Sequence, residues 1–244
     1  MYKRSIAVDT HTHTILSGHC WSTLRENCAS GAAIGLKGLC LTEHGPELPG
    51  AIVPFAPYSA KCIPDFVEGV RVISGLEFNI MDFDGHLDKL DPSAYSAIHF
   101  GIASMHDVTT PVGTRMENTE AYINALQDPY VDILGHPDYT YFPNYPEEIV
   151  LAAKKCDKLI EINNKNVAYR SGNYQAAQEF ARLCMKHGVR VCVSSDAHFD
   201  TMVGRVETAM AMLDEMDFPD ELILNLHYDT FMDYLIQKGR LPQA

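Results

Sequence analysis

The sequence lacks any hydrophobic segment long enough to cross a membrane, and it is poor in basic residues. Its 244 residues include 19 Lys and Arg against 32 Asp and Glu, a formal charge of −13. No uncharged run approaches the roughly 20 residues that span a bilayer. After the basic residues at its start, the chain has an apolar stretch that Asp9 and His11 interrupt before it reaches the length of a signal-peptide core. Without clustered positive charge to displace counterions, we expect neither a membrane nor a long nucleic acid as partner.

The cysteines give no sign of a disulfide framework. There are seven, an odd number, with no Cys-x-x-Cys pair, and they are scattered through apolar stretches. Such cysteines are typical of reduced core residues in an intracellular protein. We therefore predict a soluble, cytoplasmic protein.

Short apolar runs alternate with segments of helical periodicity along the whole chain. This pattern is typical of βα units with parallel strands, and the length suits one α/β domain spanning residues 1–244. We predict a final helix over Thr230–Lys238 with Phe231, Tyr234 and Leu235 facing inward. Two earlier helices carry apolar faces at Ala177, Phe180, Ala181 and Cys184, before Gly188, and at Val206, Ala209, Met210 and Leu213. Seven strands are predicted near residues 5–9, 38–42, 71–77, 97–104, 131–135, 158–163 and 189–194.

Residues 46–64 interrupt this alternation. They contain five prolines, which predict the absence of regular structure. A loop of this length in a compact domain is usually functional, and it directly follows His44. It could cover a site, or it could simply pack on the rim of the barrel.

Metal-binding residue types recur where the apolar runs end. Because active sites of parallel barrels gather at the carboxyl ends of the strands, side chains in these places should converge. Imidazole and carboxylate groups together suit zinc, manganese or iron, and a set this large could hold more than one ion. His19 could instead cap a helix, and Glu77 could be a salt-bridge partner. The residues are Asp9, His11, His13, His19, His44, Glu77, His106, His136, Asp196 and His198.

A few cationic or soft side chains lie near the same strand ends. Lys165, Arg170 and Arg205 could hold an anionic substrate, since a guanidinium is suited to bidentate phosphate binding, or they could be solvated surface residues. Cys20 could be a soft metal ligand, although a buried thiol is the simpler reading. The other histidines, namely His86, His99, His187 and His227, are better explained by ordinary structural roles.

Six ordered motifs resemble those of the PHP (polymerase and histidinol phosphatase) superfamily, and their order and spacing are most similar to the YcdX-like phosphatases. The resemblance covers nearly the whole chain. There are two mild departures from the family pattern. Glu43 precedes His44 where aspartate is more usual, and Asp138 follows His136-Pro137 where relatives often have glycine. The motifs are Asp9-Thr10-His11-Thr12-His13, Leu41-Thr42-Glu43-His44-Gly45, Gly75-Leu76-Glu77, Ser104-Met105-His106, Gly135-His136-Pro137 and Ser195-Asp196-Ala197-His198.

The resemblance implies a distorted (βα)7 TIM-like barrel with three divalent metal ions, zinc first, with manganese or iron as alternatives. Glu77, Asp196 and His198 would be the catalytic residues. The ligands implied for the three ions are His11, His13, Glu77 and Asp196 for the first, Glu77, His106 and His136 for the second, and His19, His44 and His198 for the third.

The implied activity is hydrolysis of small phosphomonoesters by a metal-activated hydroxide, with Arg170 as an auxiliary phosphate-binding residue. Ions close together lower the pKa of bound water and neutralise the phosphate oxygens. Phosphodiester or nucleotide hydrolysis at the same site is the alternative, and a non-catalytic metal-stabilised module is a further one. The sequence identifies neither the physiological substrate nor the oligomeric state, for which a homo-oligomer is one option.

Overall fold

Seven parallel strands form a nearly closed barrel in the computed structural model, which describes residues 4–169 and 173–242. A short additional strand, Phe66–Val67, pairs antiparallel with the first two residues of the strand Val70–Asn79 and was not predicted. The predicted distorted α/β barrel in a single domain is confirmed; the bounds 1–244 stay a prediction. The strands are β1 (Val8–Thr12), β2 (Gly38–Leu41), β3 (Phe66–Val67), β4 (Val70–Asn79), β5 (Phe100–Ser104), β6 (Ile133–Leu134), β7 (Leu159–Asn163) and β8 (Val191–Ser194).

Seven α-helices are described, and most pack around the barrel. α1 and α2 both begin with a capping box, formed by Thr23 with Glu26 and by Thr114 with Glu117. No described helix is long and apolar enough to cross a membrane. The helices are α1 (Leu24–Ala33), α2 (Arg115–Ala125), α3 (Pro146–Cys156), α4 (Asn164–Tyr169), α5 (Asn173–His187), α6 (Glu207–Glu215) and α7 (Tyr228–Gln237).

The predicted helix faces are the buried ones. The four apolar residues predicted for α5 are buried, and Gly188 follows that helix with a φ of 68°. α7 begins two residues before the predicted start, and its inward side chains include Phe231, whose ring lies 5.5 Å from that of Phe100. This contact helps to fill the barrel interior below the strand ends. The four residues predicted around α6 are also buried, with Val206 as the residue preceding that helix.

The predicted position of the first strand was wrong. The strand runs over Val8–Thr12 rather than residues 5–9, because its register pairs Val8 with Gly38 and Thr12 with Leu41 in β2. His11 therefore lies inside the strand and His13 directly after it.

Residues 46–64 are more ordered than predicted. A 3₁₀ helix spans Ala56–Cys62, with Pro57 in its first turn, where a missing backbone N–H costs no hydrogen bond. Both interpretations of the segment hold for different parts of it. Leu48 and Pro49 line the cavity at the barrel mouth, whereas Ile52 is buried in a side cluster on the barrel wall.

All seven cysteines are free thiols, as predicted, but not all of them are core residues. Cys62 is exposed and Cys156 is half-buried, because the short helix that carries Cys62 and the last turn of α3 face solvent at these positions.

The barrel is closed between β1 and β8 by an asparagine side chain. In the described residues, one isolated bridge joins Thr12 of β1 to Ala197, which lies three residues after the end of β8. Below it, the Asn225 amide donates to the carbonyls of Val8 and Val193, both at 2.7 Å, and accepts from the Val193 N–H at 3.0 Å. Asn225 thus satisfies backbone groups that a continuous ladder would otherwise pair.

Replacing Asn225 with Ala should lower the free energy of unfolding by about 2 to 4 kcal/mol, because it leaves three buried backbone groups without partners. Urea denaturation followed by circular dichroism measures the change. Gln127→Ala, in the exposed turn that follows α2, is the control and should shift stability by less than about 0.5 kcal/mol. An unchanged midpoint for Asn225→Ala would contradict this role in closing the barrel.

Candidate metal centre

Glu77 lies at the centre of the barrel mouth, fully buried, and is surrounded by histidine rings. Its position near the end of β4 places it where the other strands also end. Five imidazoles approach its two oxygens. The distances are 2.7 Å from His44 Nδ1, 3.2 Å from His11 Nε2 and 3.5 Å from His13 Nε2 to Oε2, and 3.2 Å from His106 Nε2 and from His136 Nε2 to Oε1.

Asp196 forms a second acidic point in the same cluster. Its Oδ1 lies 3.4 Å from His13 Nε2 and 3.3 Å from His198 Nδ1. His198 in turn lies with its Nε2 3.0 Å from His19 Nε2. The structure thus brings together all nine residues predicted as ligands, including His19, whose interpretation from sequence was open.

Several buried atoms in this cluster have no hydrogen-bond partner within the described chain. Although some lie close to one another, they do not meet the geometry of a hydrogen bond. Unpaired polar atoms are costly to bury, and divalent cations would satisfy those that face the cluster. The residues therefore fit a metal centre. The atoms are His11 Nε2, His13 Nε2, His44 Nδ1 and Nε2, His136 Nδ1 and Glu77 Oε2.

The possible ligand atoms form overlapping groups rather than three separate ones. His11, His13 and Asp196 form one such group, in agreement with part of the first predicted set. His44 belongs to two groups, one with Glu77 and His106, the other with His13 and His198. The division of ligands among individual ions stays a prediction.

The cluster holds the carboxylates of Glu77 and Asp196 ionised and lowers the pKa values of the His13, His44 and His198 imidazoles. Burial acts to raise the pKa of Glu77, but His11, His44 and His106 outweigh it and hold this pKa well below its usual range. Burial lowers the pKa of His44 and of His198 to about 4. At neutral pH these two rings therefore carry the lone pairs that a metal ion requires.

The pKa values of His11 and His13 shift in opposite directions, although the two residues lie close together at the end of β1. Burial lowers the pKa of His13 well below its usual value, and His44 adds to this effect. For His11, burial also acts to lower the pKa, but the charges of Glu77 and Glu161 raise it well above the usual value. A metal ion at His11 would consequently replace a proton.

Glu161 is the main functional residue that the sequence analysis missed. This fully buried carboxylate on β7 lies 2.7 Å from His11 Nδ1 and accepts from the backbone N–H of His136 at 2.6 Å. A carboxylate on the far ring nitrogen fixes the tautomer whose Nε2 faces the cluster. The available signal was an acidic residue inside the apolar run Leu159-Ile160-Glu161-Ile162, where only a paired charge is tolerated.

Two further polar contacts orient ligand histidines. His106 Nδ1 lies 2.7 Å from the Asn79 side-chain oxygen. His13 Nδ1 lies 3.2 Å from the Ser17 hydroxyl, which donates to Glu43 at 2.5 Å. Glu43, a departure from the resembled pattern, thus supports the site without facing the cluster.

Asp9 does not join the cluster, although it opens the motif that carries His11 and His13. Its carboxylate accepts from the Ser195 hydroxyl at 2.5 Å and from the backbone N–H of Gly204 at 2.7 Å. It therefore fastens the segment after β8, which carries Asp196, to β1.

Two of the clustered residues have an uncommon backbone conformation. His136 has a φ of 30° and Asp196 a φ of 52°, the left-handed region that side chains other than glycine rarely adopt. Such conformations concentrate at functional sites, where the surrounding structure compensates for their cost.

A cavity of about 330 Å³ opens above the cluster. Leu48, Pro49 and Val108 form its apolar wall. Lys165 also lines the cavity and brings a positive charge to it, with its Nζ 3.4 Å from Asp196 Oδ2 and 3.2 Å from both ring nitrogens of His198.

Of the other cationic candidates, Arg205 lies exposed beside Glu207, 3.5 Å away, and does not line this cavity. Arg170 lies outside the described residues. His86, His99 and His187 have their own partners away from the cluster, as expected.

Comparison with known proteins identifies the family. The PHP domain model matches residues 9–171, and a PHP-associated model matches residues 175–227. The chain belongs to the PHP domain family. It is 44% identical over 234 residues to a probable phosphatase from Clostridium botulinum, covering 96% of each chain. It is also 41% identical over 232 residues to a probable phosphatase from Acetivibrio thermocellus, covering 95% of each.

The fold is similar to that of a solved phosphatase structure. A histidinol phosphate phosphatase from Lactococcus lactis, solved in complex with zinc, L-histidinol and phosphate, superposes with a TM-score of 0.58. The match covers 87% of this chain and 94% of that one, at 17% sequence identity. At this identity the likeness shows the barrel fold alone.

Replacing Glu161 with Gln should weaken zinc binding roughly 10- to 100-fold, the usual effect of removing a partner that orients a metal ligand. The amide –NH₂ group of glutamine would face one of the groups, His11 Nδ1 or the His136 backbone N–H, from which the carboxylate now accepts a hydrogen bond. Isothermal titration calorimetry of the metal-free protein with zinc measures the affinity. Glu148→Gln on the exposed face of α3 is the control, and equal affinities for the two variants would show that Glu161 does not orient His11.

Proposed function

We propose that this protein is a metal-dependent phosphatase that hydrolyses small phosphomonoesters at a centre of three divalent ions, with zinc as the first candidate. The observation that carries the proposal is the convergence of unpaired buried ring nitrogens and a carboxylate oxygen at the barrel mouth. The high similarity to relatives named probable phosphatases supports it. The proposed ligands are His11, His13, His19, His44, Glu77, His106, His136, Asp196 and His198.

Bound divalent ions in such a centre lower the pKa of water and neutralise the oxygens of a phosphate group. The chain's own groups prepare this environment. Glu77 lies beneath the cavity and supplies buried negative charge, and Asp196 and His198 line the cavity itself. We assign these three residues to catalysis because all three would hold metal ions, and Asp196 and His198 also line the space for substrate.

The cavity favours a small phosphorylated substrate. Its volume of about 330 Å³ accommodates a metabolite rather than a polymer. Lys165 is the one ammonium or guanidinium group among the described residues that line it, and it can hold a phosphate oxygen. Arg170 stays a proposed auxiliary phosphate-binding residue.

The setting proposed for this activity is the cytoplasm, since all seven cysteines are free thiols. The formal charge of −13 supports the absence of long nucleic acid among the substrates. We propose no membrane partner, and self-association into a homo-oligomer is compatible with this function.

The zinc-loaded protein should hydrolyse a generic phosphomonoester such as p-nitrophenyl phosphate faster than the matching bis-ester. His13→Ala should lose bound metal and reduce turnover by roughly two orders of magnitude or more, because it removes a fully buried ligand. Turnover and metal content are measured on the same samples.

Other outcomes of this experiment would each change the assignment. Faster diester turnover would assign the protein as a phosphodiesterase. Metal binding without turnover of either ester would favour a non-catalytic metal-stabilised module. An active His13→Ala variant that has lost metal would overturn the metal-dependent mechanism.

Lys165→Met should raise KM for the phosphomonoester about ten- to hundredfold, the equivalent of one charge-assisted hydrogen bond. Metal content should not fall, because Lys165 is not a proposed ligand. Steady-state kinetics measure KM and kcat separately. Lys61→Met, on the exposed 3₁₀ helix, is the control. An unchanged KM would remove Lys165 from substrate binding.

A further inference from the structure

Cys20 lies at the outer edge of the cluster and has no role in the function proposed so far. We propose that its thiolate is a metal ligand that completes, with His19 and His198, a mixed nitrogen and sulfur set at the outer ion position. This inference rests on the proposed function, because it assumes that the cluster binds metal. It would make the outer position selective for zinc over manganese.

The geometry brings the three side chains together. The possible ligand atoms of His19, Cys20 and His198 all lie within 4.8 Å of one another. Cys20 is 6% exposed although its neighbour His19 is exposed. Among the described residues, Cys20 is the one cysteine that shares such a cluster with histidines.

The loop that carries Cys20 is fixed to the site. The N–H of Trp21 donates to the carbonyl of His198 at 3.0 Å, which ties this loop to the segment after β8. On its other side, Gly18 has a φ of 79° and lies so close to the backbone of Gly50 that a Cβ atom would clash with it. Cys20 is therefore held in place between two backbone contacts.

The neighbouring rings also point to a ligand at this position. The His13 ring lies 4.7 Å from that of His198, and the His44 ring lies 5.0 Å from that of His19. His13 Nε2 and both ring nitrogens of His44 are buried without hydrogen-bond partners. These unpaired nitrogens thus belong to rings that pack against His19 and His198, the two imidazoles grouped with the thiol, and a cation would satisfy nitrogens that face this position.

The chemistry of the donor set determines which metal it prefers. A cysteine binds metal as the thiolate, so binding would release the thiol proton to solvent. Thiolate with imidazole suits zinc, whereas manganese prefers oxygen ligands. The outer position would then differ in metal preference from the inner ones, where carboxylates contribute.

Cobalt(II) loading of the full-length protein tests the proposal, because a cobalt–thiolate bond produces a charge-transfer absorption in the near ultraviolet that nitrogen and oxygen ligands do not. We expect this band in the wild-type protein and in Cys28→Ser, a control that removes a fully buried thiol of α1 away from the cluster. The band should be lost in Cys20→Ser and in Cys20→Ala. Cobalt content and far-ultraviolet circular dichroism are recorded for every sample.

The outcomes separate this inference from the proposed function. Cobalt-loaded, active wild-type protein without the band would overturn the role of Cys20 and leave the phosphatase proposal intact. A band that persists in a folded Cys20 variant would also overturn it. Failure of the wild-type protein to bind cobalt would overturn both. If both Cys20 variants failed to fold, the presence or absence of the band in the wild-type and Cys28→Ser proteins would still decide whether a thiolate binds.

Discussion

The burial of the Glu77 carboxylate is the constraint on which the rest of the site depends. An ionised group without access to solvent costs several kcal/mol unless cations or hydrogen bonds replace its water. Here five imidazoles stand within 2.7 to 3.5 Å of its oxygens. An imidazole nitrogen can donate a hydrogen bond only where it carries a proton, and burial keeps the pKa values of His13 and His44 low. The structure therefore concentrates both negative charge and free lone pairs, a combination that divalent cations stabilise.

The barrel makes this concentration possible because parallel strands deliver side chains from distant parts of the chain to one end. Glu77 pairs with Ile102 in the register of β4 and β5 and forms a bridge to His44 after β2. The weak point of such an arrangement is the junction of the first and last strands. Asn225 and Asp9 reinforce that junction with side-chain hydrogen bonds, so that Asp196 and His198 are held opposite His11 and His13.

Much of this site could be predicted from the sequence because its ligands follow a positional rule. A histidine or carboxylate at the end of an apolar run identifies a strand end, and strand ends converge. The supporting residues obey no such rule. Glu161 and Asn225 act on residues of β1, namely His11 and Val8, which are far away in sequence. Such contacts depend on how the elements pack in three dimensions. The misplaced first strand has the same cause, since pairing with β2 rather than local apolar content determines where β1 begins.

The inner and outer parts of the centre are built differently. The proposed inner ligands His11, His13 and Glu77 are fully buried, and the ring nitrogens that face away from the cluster are oriented by Glu161 and Ser17. The proposed outer ligand His19 is exposed and belongs to a loop, so its position follows from backbone contacts of that loop rather than from a strand. For this reason His19 could not be assigned from strand ends alone. The inner geometry is a property of the barrel, whereas the outer position, next to Lys165 and the cavity, depends on loop residues. These can change the metal and the substrate without altering the barrel.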